Sequence, residues 1–308
     1  MPLFLKLCLL SSLFSPYIIA KQAPEPFANL TTFGSNPGNL SASFITSSKT
    51  SDKLVVLLHG CVQNGEQFAE QSGFVDLAEK HQFNLLIPQQ SDQNNIQGCF
   101  NWFSPQDQQR DKGEALSLKQ MIETLKEQTQ VTKVYIAGLS AGGAMASAML
   151  INYPDLFDAG AIISGIAYPC ADNLTKAISC MRNGPSQTIE ELVQQAKAIQ
   201  PEQKDWPRLV VFTGEQDKVV APINAESIAQ QWLGLSGIST PPQQFKHTGY
   251  QQQQWRSDSG LLAVEMFLIA DMGHGIAINS SIESGGSEAP FLLNAPLSAA
   301  NEIIKFWF

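Results

Sequence analysis

Gly138-Leu139-Ser140-Ala141-Gly142 places a serine between two glycines at a spacing of two. A serine hydroxyl is a weak nucleophile until a neighbouring base takes its proton. Its surroundings raise this one above a chance match: an apolar run at 134–137 precedes it, and a stretch rich in Gly and Ala at 141–152 follows. Strand, tight turn and helix in that order are the context of a nucleophile elbow, which lifts the hydroxyl above the end of a parallel sheet. Gly138 and Gly142 lack Cβ atoms, so neighbouring chain can approach the turn closely. The plain alternative is a Gly-rich turn with an incidental serine, and it leaves the full strand–motif–helix pattern unexplained.

The base must come from four histidines, His59, His81, His247 and His274. An elbow of this kind is followed in the chain by an acid and then a histidine, which sets aside His59 and His81. His247 falls inside an expected strand. His274 sits in the Gly-flanked loop Asp271-Met272-Gly273-His274-Gly275, just past an apolar strand, where parallel sheets place their sites. His274 is therefore the expected base. The acid that orients it is expected at Asp217, in the loop after the run 209–212. Glu215 is a rival two residues earlier, and Asp271 is so local that a turn cap is its more ordinary use.

Acyl transfer also needs two N–H donors for the developing oxyanion. The Ala141 N–H, directly after the serine, is one; the Cys61 N–H, in the loop His59-Gly60-Cys61 after the early strand, is the expected second. His59 is then a residue that pins this loop by hydrogen bonds. Four cysteines follow the first twenty residues: Cys61, Cys99, Cys170 and Cys180. An even number in an exported chain suggests two disulfides. Three pairings are possible; locality favours Cys170–Cys180, which leaves Cys61–Cys99. The second link would tether the oxyanion loop to Cys99-Phe100-Asn101-Trp102-Phe103, whose Phe100, Trp102 and Phe103 are candidates for a substrate pocket, core packing being the alternative.

The elements that must hold these groups follow from periodicity. Apolar strands are expected at 53–58, 85–87 (ended by Pro88), 134–137, 161–164, 209–212 and 261–269, with a possible edge strand at 44–45 and a hairpin partner near 243–247. Helical spacing marks 67–80, 114–127, 141–152, 188–199 and 303–308. Gln251 to Gln254 read as a solvated hairpin tip. Alternating strands and amphipathic helices imply an α/β fold with a mostly parallel central sheet covered on both faces. Residues 165–207 form a long excursion from a strand's C-terminal end, placed to wall a site. With 308 residues, 44% hydrophobic and 15% charged, the chain is globular and long enough for one such domain at 21–308. Its net charge of −9 and lack of a basic run argue against a nucleic-acid partner. No Cys or His spacing suggests a metal, and no cofactor motif is present.

Residues 1–20 read as an export signal: Lys6 before the short apolar stretch Leu7 to Phe14, and Ala20 at a small-residue cleavage position. Ser11, Ser12, Ser15 and Pro16 interrupt it, so stable membrane insertion is not expected. The mature chain is expected outside the cytoplasm, extracellular or periplasmic, in an oligomeric state that the sequence leaves open.

Together, His59-Gly60-Cys61-Val62-Gln63, Cys99-Phe100-Asn101-Trp102-Phe103, Gly138 to Met145, Gly214-Glu215-Gln216-Asp217, Gly273-His274 and Ser284-Gly285-Gly286-Ser287 resemble the extracellular poly(3-hydroxybutyrate) depolymerase family, which also has feruloyl and acetylxylan esterase relatives. The resemblance implies an α/β-hydrolase fold, a triad of Ser140, Asp217 and His274, and a secreted serine esterase acting on polyester or its oligomers. A plant cell-wall esterase is the alternative, a peptidase a weaker one, and a binding protein that lost catalysis the alternative from another class. Where relatives often carry an aromatic soon after the catalytic histidine, this chain has Gly275-Ile276-Ala277-Ile278. Many polymer-degrading members carry a further polymer-binding module, so faster turnover of soluble oligomers than of solid polymer is expected here.

Overall fold

Strands of Val, Ile and Leu without a polar face need cover on both sides. The structure, a computed structural model, describes residues 27–308, so the export-signal reading of 1–20 lies outside the described residues. Its strands are β1 (Ala28–Asn29), β2 (Ser41–Ile45), β3 (Lys53–Leu58), β4 (Asn84–Gln89), β5 (Lys133–Leu139), β6 (Ala159–Ile163), β7 (Arg208–Gly214), β8 (Gln243–His247), β9 (Tyr250–Arg256), β10 (Leu262–Ile269), β11 (Ile276–Ile278) and β12 (Leu292–Asn294). The first ten form one sheet in the order β1-β2-β4-β3-β5-β6-β7-β10-β9-β8, and β11 pairs with β12 apart from it. From β4 through β10 every pairing is parallel; antiparallel strands occur only toward the two edges.

The helices are α1 (Gly65–Gln71), α2 (Phe74–His81), α3 (Pro105–Gln108), α4 (Gly113–Thr129), α5 (Ala141–Asn152), α6 (Leu174–Asn183), α7 (Ile189–Ile199), α8 (Ile223–Ser236) and α9 (Ala299–Trp307). Alternate residues of each central strand point to opposite layers. On β3, Leu54, Val56 and Leu58 join α4, α5, α7 and α8 in one core, while Val55 and Leu57 join α1, α2 and α9 in the other. This is the doubly covered α/β sheet that the periodicity predicts.

Five local expectations need correction. The helical spacing over 67–80 is broken at Ser72–Gly73 into α1 and α2. Gly73 is left-handed (φ 88°), and a Cβ there would lie 2.4 Å from the Ser284 carbonyl oxygen, so the 284–286 turn docks where a continuous helix would block it. The strand expected to stop before Pro88 runs on to Gln89. It pairs with β3 only over Asn84 to Leu86, so the missing N–H of Pro88 costs no ladder bond on that side. The partner of β10 is not 243–247 but β9, with β8 lying outside it. Accordingly Gln251 to Gln254 are not a hairpin tip; the tip is Thr248-Gly249. Gln252 and Gln254 instead donate from Nε2 to the buried Glu265, each at 2.6 Å. Finally, the last helix begins at Ala299, capped by the Ser298 hydroxyl, rather than at 303.

Helix α5 is buried along its whole length, because Gly and Ala let it lie directly on the sheet. A Cβ on Gly142 would sit 2.4 Å from the Leu58 carbonyl oxygen and 2.5 Å from that of His59. Gly142→Ala should therefore lower stability by about 1–3 kcal/mol or more, as overpacked sites do. Gly273→Ala, where an added Cβ meets nothing within 4 Å, is the control. Equal denaturation midpoints for the two variants would contradict the close packing of the elbow.

Candidate active site

Ser140 sits between β5 and α5 with φ 56° and ψ −116°, the strained conformation of a tight strand-to-helix turn, and its N–H donates to the Ile163 carbonyl at 2.9 Å. Its hydroxyl lies 2.9 Å from Nε2 of His274. Nδ1 of His274 lies 2.7 Å from Oδ2 of Asp217. The other Asp217 oxygen accepts from the N–H groups of Val219 and Val220, both at 2.9 Å. With the carboxylate as acceptor, the imidazole proton is on Nδ1, and Nε2 is free to accept from the serine.

Close backbone approach holds the acid and histidine loops together. The Glu215 N–H donates to Ile269 C=O and the Gln216 N–H to Met272 C=O, at 2.8 and 2.9 Å. Gly214 allows it: a Cβ there would lie 2.3 Å from the Met272 carbonyl oxygen. Burial pushes the Asp217 carboxyl up, but the His274 hydrogen bond and charge, with the two N–H donors, outweigh it and hold the carboxyl below its ordinary value.

The rivals lie elsewhere. Glu215 is exposed. Asp271 accepts from the Gln216 amide rather than facing His274. His247 is exposed on β8, stacked on Tyr250 with ring centroids 4.4 Å apart, and His81 ends α2. His59 is fully buried. Gln90 N–H donates to its Nε2 at 3.1 Å, so Nδ1 carries the proton and donates to the Gly60 carbonyl at 2.7 Å. Burial depresses its pKa to about 4, keeping it neutral.

Beside Ser140 opens a mainly apolar cleft of about 330 Å³. Cys61 and Ala141 line it, and the N–H of neither has an acceptor among the described residues. Trp102 and Phe103 line one wall; Phe100 does not, being buried against the His59 ring. Leu174, Ala177 and Met181, one stripe of α6, line the cleft as well. The disulfide favoured by locality, Cys170–Cys180, and the one it leaves, Cys61–Cys99, are both present. The aromatic beside the histidine comes from a position the sequence reading did not single out. Phe291 meets the His274 ring edge-on at 6.2 Å, while Ile276 to Ile278 are buried in β11. Glu114 and Gln90, hydrogen-bonded to each other, were equally unmarked, and Asn101, which also bonds Glu114, stood in a quoted motif without a role.

The family model described as esterase PHB depolymerase matches residues 46–249. The chain is 33% identical over 303 residues to poly(3-hydroxyalkanoate) depolymerase C of Paucimonas lemoignei, covering 95% of this chain and 73% of that one. It is 28% identical over 229 residues to feruloyl esterase B of Thermothelomyces thermophilus, covering 68% and 75% of the two. Among solved structures, an acetyl xylan esterase from Aspergillus awamori matches with a TM-score of 0.72 at 23% identity, over 80% of this chain and 93% of that one. That likeness extends to the fold, the α/β-hydrolase fold.

A carboxyl held low by folding stabilises the native state above its unfolded pKa, 3.8 for Asp217, and the contribution is lost as pH falls through the lower folded value. Tm measured against pH should therefore fall more steeply below about pH 4 in the wild type than in Asp217→Asn. Parallel acid limbs would show that Asp217 gains nothing from its partners.

Proposed function

The chain belongs to the esterase PHB depolymerase family and is an ester hydrolase, and from that premise we propose that it is an exported serine esterase cleaving aliphatic hydroxy-acid polyester or its oligomers through an acyl-enzyme on Ser140. The observation that carries the reading is the unbroken chain Ser140 Oγ–His274–Asp217 at the edge of an apolar cleft.

His274 Nε2 takes the hydroxyl proton as Ser140 Oγ attacks the ester carbonyl carbon. The carbonyl π electrons move to oxygen, and the oxyanion is met by the N–H groups of Cys61 and Ala141. Asp217, ionised and buried, stabilises the imidazolium and holds its orientation. Collapse of the tetrahedral species returns the proton from Nε2 to the leaving alkoxide, releasing alcohol and leaving the acyl group on Ser140. Water, deprotonated by the same Nε2, repeats the sequence and frees the acid. Carbon-rich walls from Trp102, Phe103, Leu174 and Met181 suit an aliphatic acyl unit. Export is supported by the signal-like pattern at 1–20 and by two disulfides, which persist in oxidising compartments. Among the described residues no helix is long and apolar enough to cross a membrane.

Ser140→Ala should fold and lose on the order of 10⁶ in kcat, and His274→Ala should be similarly inactive. Asp217→Asn should lose about 10⁴. His247→Ala should match the wild type. Initial rates on 3-hydroxybutyrate oligomers, feruloyl esters and acetylated xylan, with fluorophosphonate labelling of Ser140, check the assignment. Labelling of Ser140→Ala would move the nucleophile. A preference for the feruloyl or acetyl substrates would turn the substrate reading toward plant cell-wall esters, and no labelling of the wild type would point to a binding protein.

A further inference from the structure

Glu114 is a carboxylate with no solvent exposure, in the first turn of α4, and it does not line the cleft. Three donors converge on it. Gln90 Nε2 and Asn101 Nδ2 reach Oε1 at 2.6 and 2.7 Å, and the Asn101 backbone N–H reaches Oε2 at 2.8 Å. Burial pushes its carboxyl up to about 7 against the pull of these bonds. A buried carboxyl left without donors would be costly, so this cluster strongly favours one arrangement.

Both of its partners lead to the cleft. The Gln90 amide also donates to the Cys99 carbonyl at 3.1 Å, and Gln90 backbone N–H donates to His59 Nε2, whose Nδ1–H holds the Gly60 carbonyl. That carbonyl belongs to the same peptide unit as the Cys61 N–H. A trans peptide is planar, with C=O and N–H pointing opposite ways. Fixing the Gly60 oxygen toward the buried His59 therefore aims the Cys61 N–H away from it, toward the cleft that Cys61 lines. On the other arm, Asn101 immediately precedes Trp102 and Phe103, the cleft wall, and its Oδ1 accepts from Asn95 at 2.9 Å.

We infer that Glu114 is a positioning residue for ester hydrolysis: acting through Gln90 and His59 it sets the direction of the Cys61 N–H donor, and through Asn101 it sets the aromatic wall. The inference rests on the reading above that this N–H receives the oxyanion. The disulfide fixes the distance between residues 61 and 99 but leaves the 60–61 peptide free to rotate; the hydrogen-bond relay removes that freedom.

The test uses the whole enzyme and the variants Glu114→Leu, Glu114→Gln and Gln90→Met. Active sites are counted by fluorophosphonate titration taken to its end point, so misfolded molecules do not enter the rate. KM and kcat per titrated site are measured on a soluble short-chain aryl ester, with the Ki of an alkyl boronic acid, whose tetrahedral adduct places an oxygen in the oxyanion position. Outright loss of one oxyanion donor costs on the order of 10²–10³ in kcat. A misdirected donor in Glu114→Leu should cost at least about tenfold within that ceiling, with KM little changed and Ki raised in parallel. Glu114→Gln should be partly rescued, because its amide oxygen still accepts from Gln90 and Asn101, while Gln90→Met should fall with Glu114→Leu. A purely structural role would lower the count of active sites and Tm but leave kcat per site and Ki alone, and that result overturns the inference. If Glu114→Leu gives no folded protein, unchanged kcat per site in both Glu114→Gln and Gln90→Met overturns it equally. Ser140→Ala, run alongside, separates the two failures: activity there defeats the site reading, whereas an inactive Ser140→Ala with unaffected relay variants defeats only the relay.

Discussion

Backbone lying on backbone at the Ser140 turn is the constraint from which the site follows. The serine holds a strained left-handed conformation, and such strain persists only where the surroundings over-determine it. They do so by contact: the Gly142 Cα faces the Leu58 and His59 carbonyls, the Gly143 Cα faces the Ile163 carbonyl, and Ser140 N–H is tied to that same Ile163 oxygen. A side chain at Gly142 would drive the start of α5 away from the end of β3, and one at Gly138 would drive the end of β5 away from that same first turn of α5. Because these contacts bring the loop after β3 against the start of α5, Cys61 and Ala141 come to border one cleft. The candidate nucleophile and both candidate donors are thus consequences of a single close approach.

Two kinds of restraint then divide the loop bordering that cleft. The Cys61–Cys99 disulfide closes a loop spanning 38 residues, which mainly restricts the unfolded chain. It does not set dihedrals around the donor. Orientation comes from the buried polar group of Glu114, Gln90, Asn101 and His59, whose members satisfy one another. An apolar core in its place could be as stable, since desolvating a carboxylate is expensive. What apolar packing could not supply is direction, and an oxyanion donor is useful only when aimed.

Sequence carried some of this and hid the rest, for reasons visible in particular residues. Strands without a polar face, such as β3 and β5, are legible because burial on both sides demands unbroken apolar runs. Ser140 and His274 are legible because the turns that present them need glycines at fixed offsets. Asp217 follows from chain order. The β9 strand was hidden because Gln252 and Gln254 look solvated in one dimension, yet they satisfy Glu265, a partner 11 to 13 residues away. Glu114 was hidden in the same way: on a helix that otherwise buries Leu118, Met121 and Ile122 it resembles an ordinary first-turn acid, and only tertiary structure brings Asn101 and Gln90 to it. Phe291 reaches His274 only because β12 returns beside β11, a pairing of two short strands with little periodic signal.

The two walls of the cleft are built differently, and the difference bears on how substrate is read. The Trp102–Phe103 side hangs on the Glu114 group and so shares a support with the candidate Cys61 donor. The α6 side is stapled by Cys170–Cys180 and hydrogen-bonded from the segment after Asp217: Asn224 donates to the Cys180 and Met181 carbonyls, and Ala221 N–H to Met181 C=O. Ala221 lies four residues past Asp217, and Val220, whose N–H binds the Asp217 carboxylate, lines the cleft itself. The α6 side of the cleft and the loop whose Asp217 bonds His274 are therefore joined by direct hydrogen bonds. A bulkier group pressing on Met181 or Val220 would bear on the loop that carries Asp217, the hydrogen-bond partner of His274. Selectivity on this scaffold should accordingly be read in kcat as well as in KM, because binding that strains the wall also costs alignment of the triad.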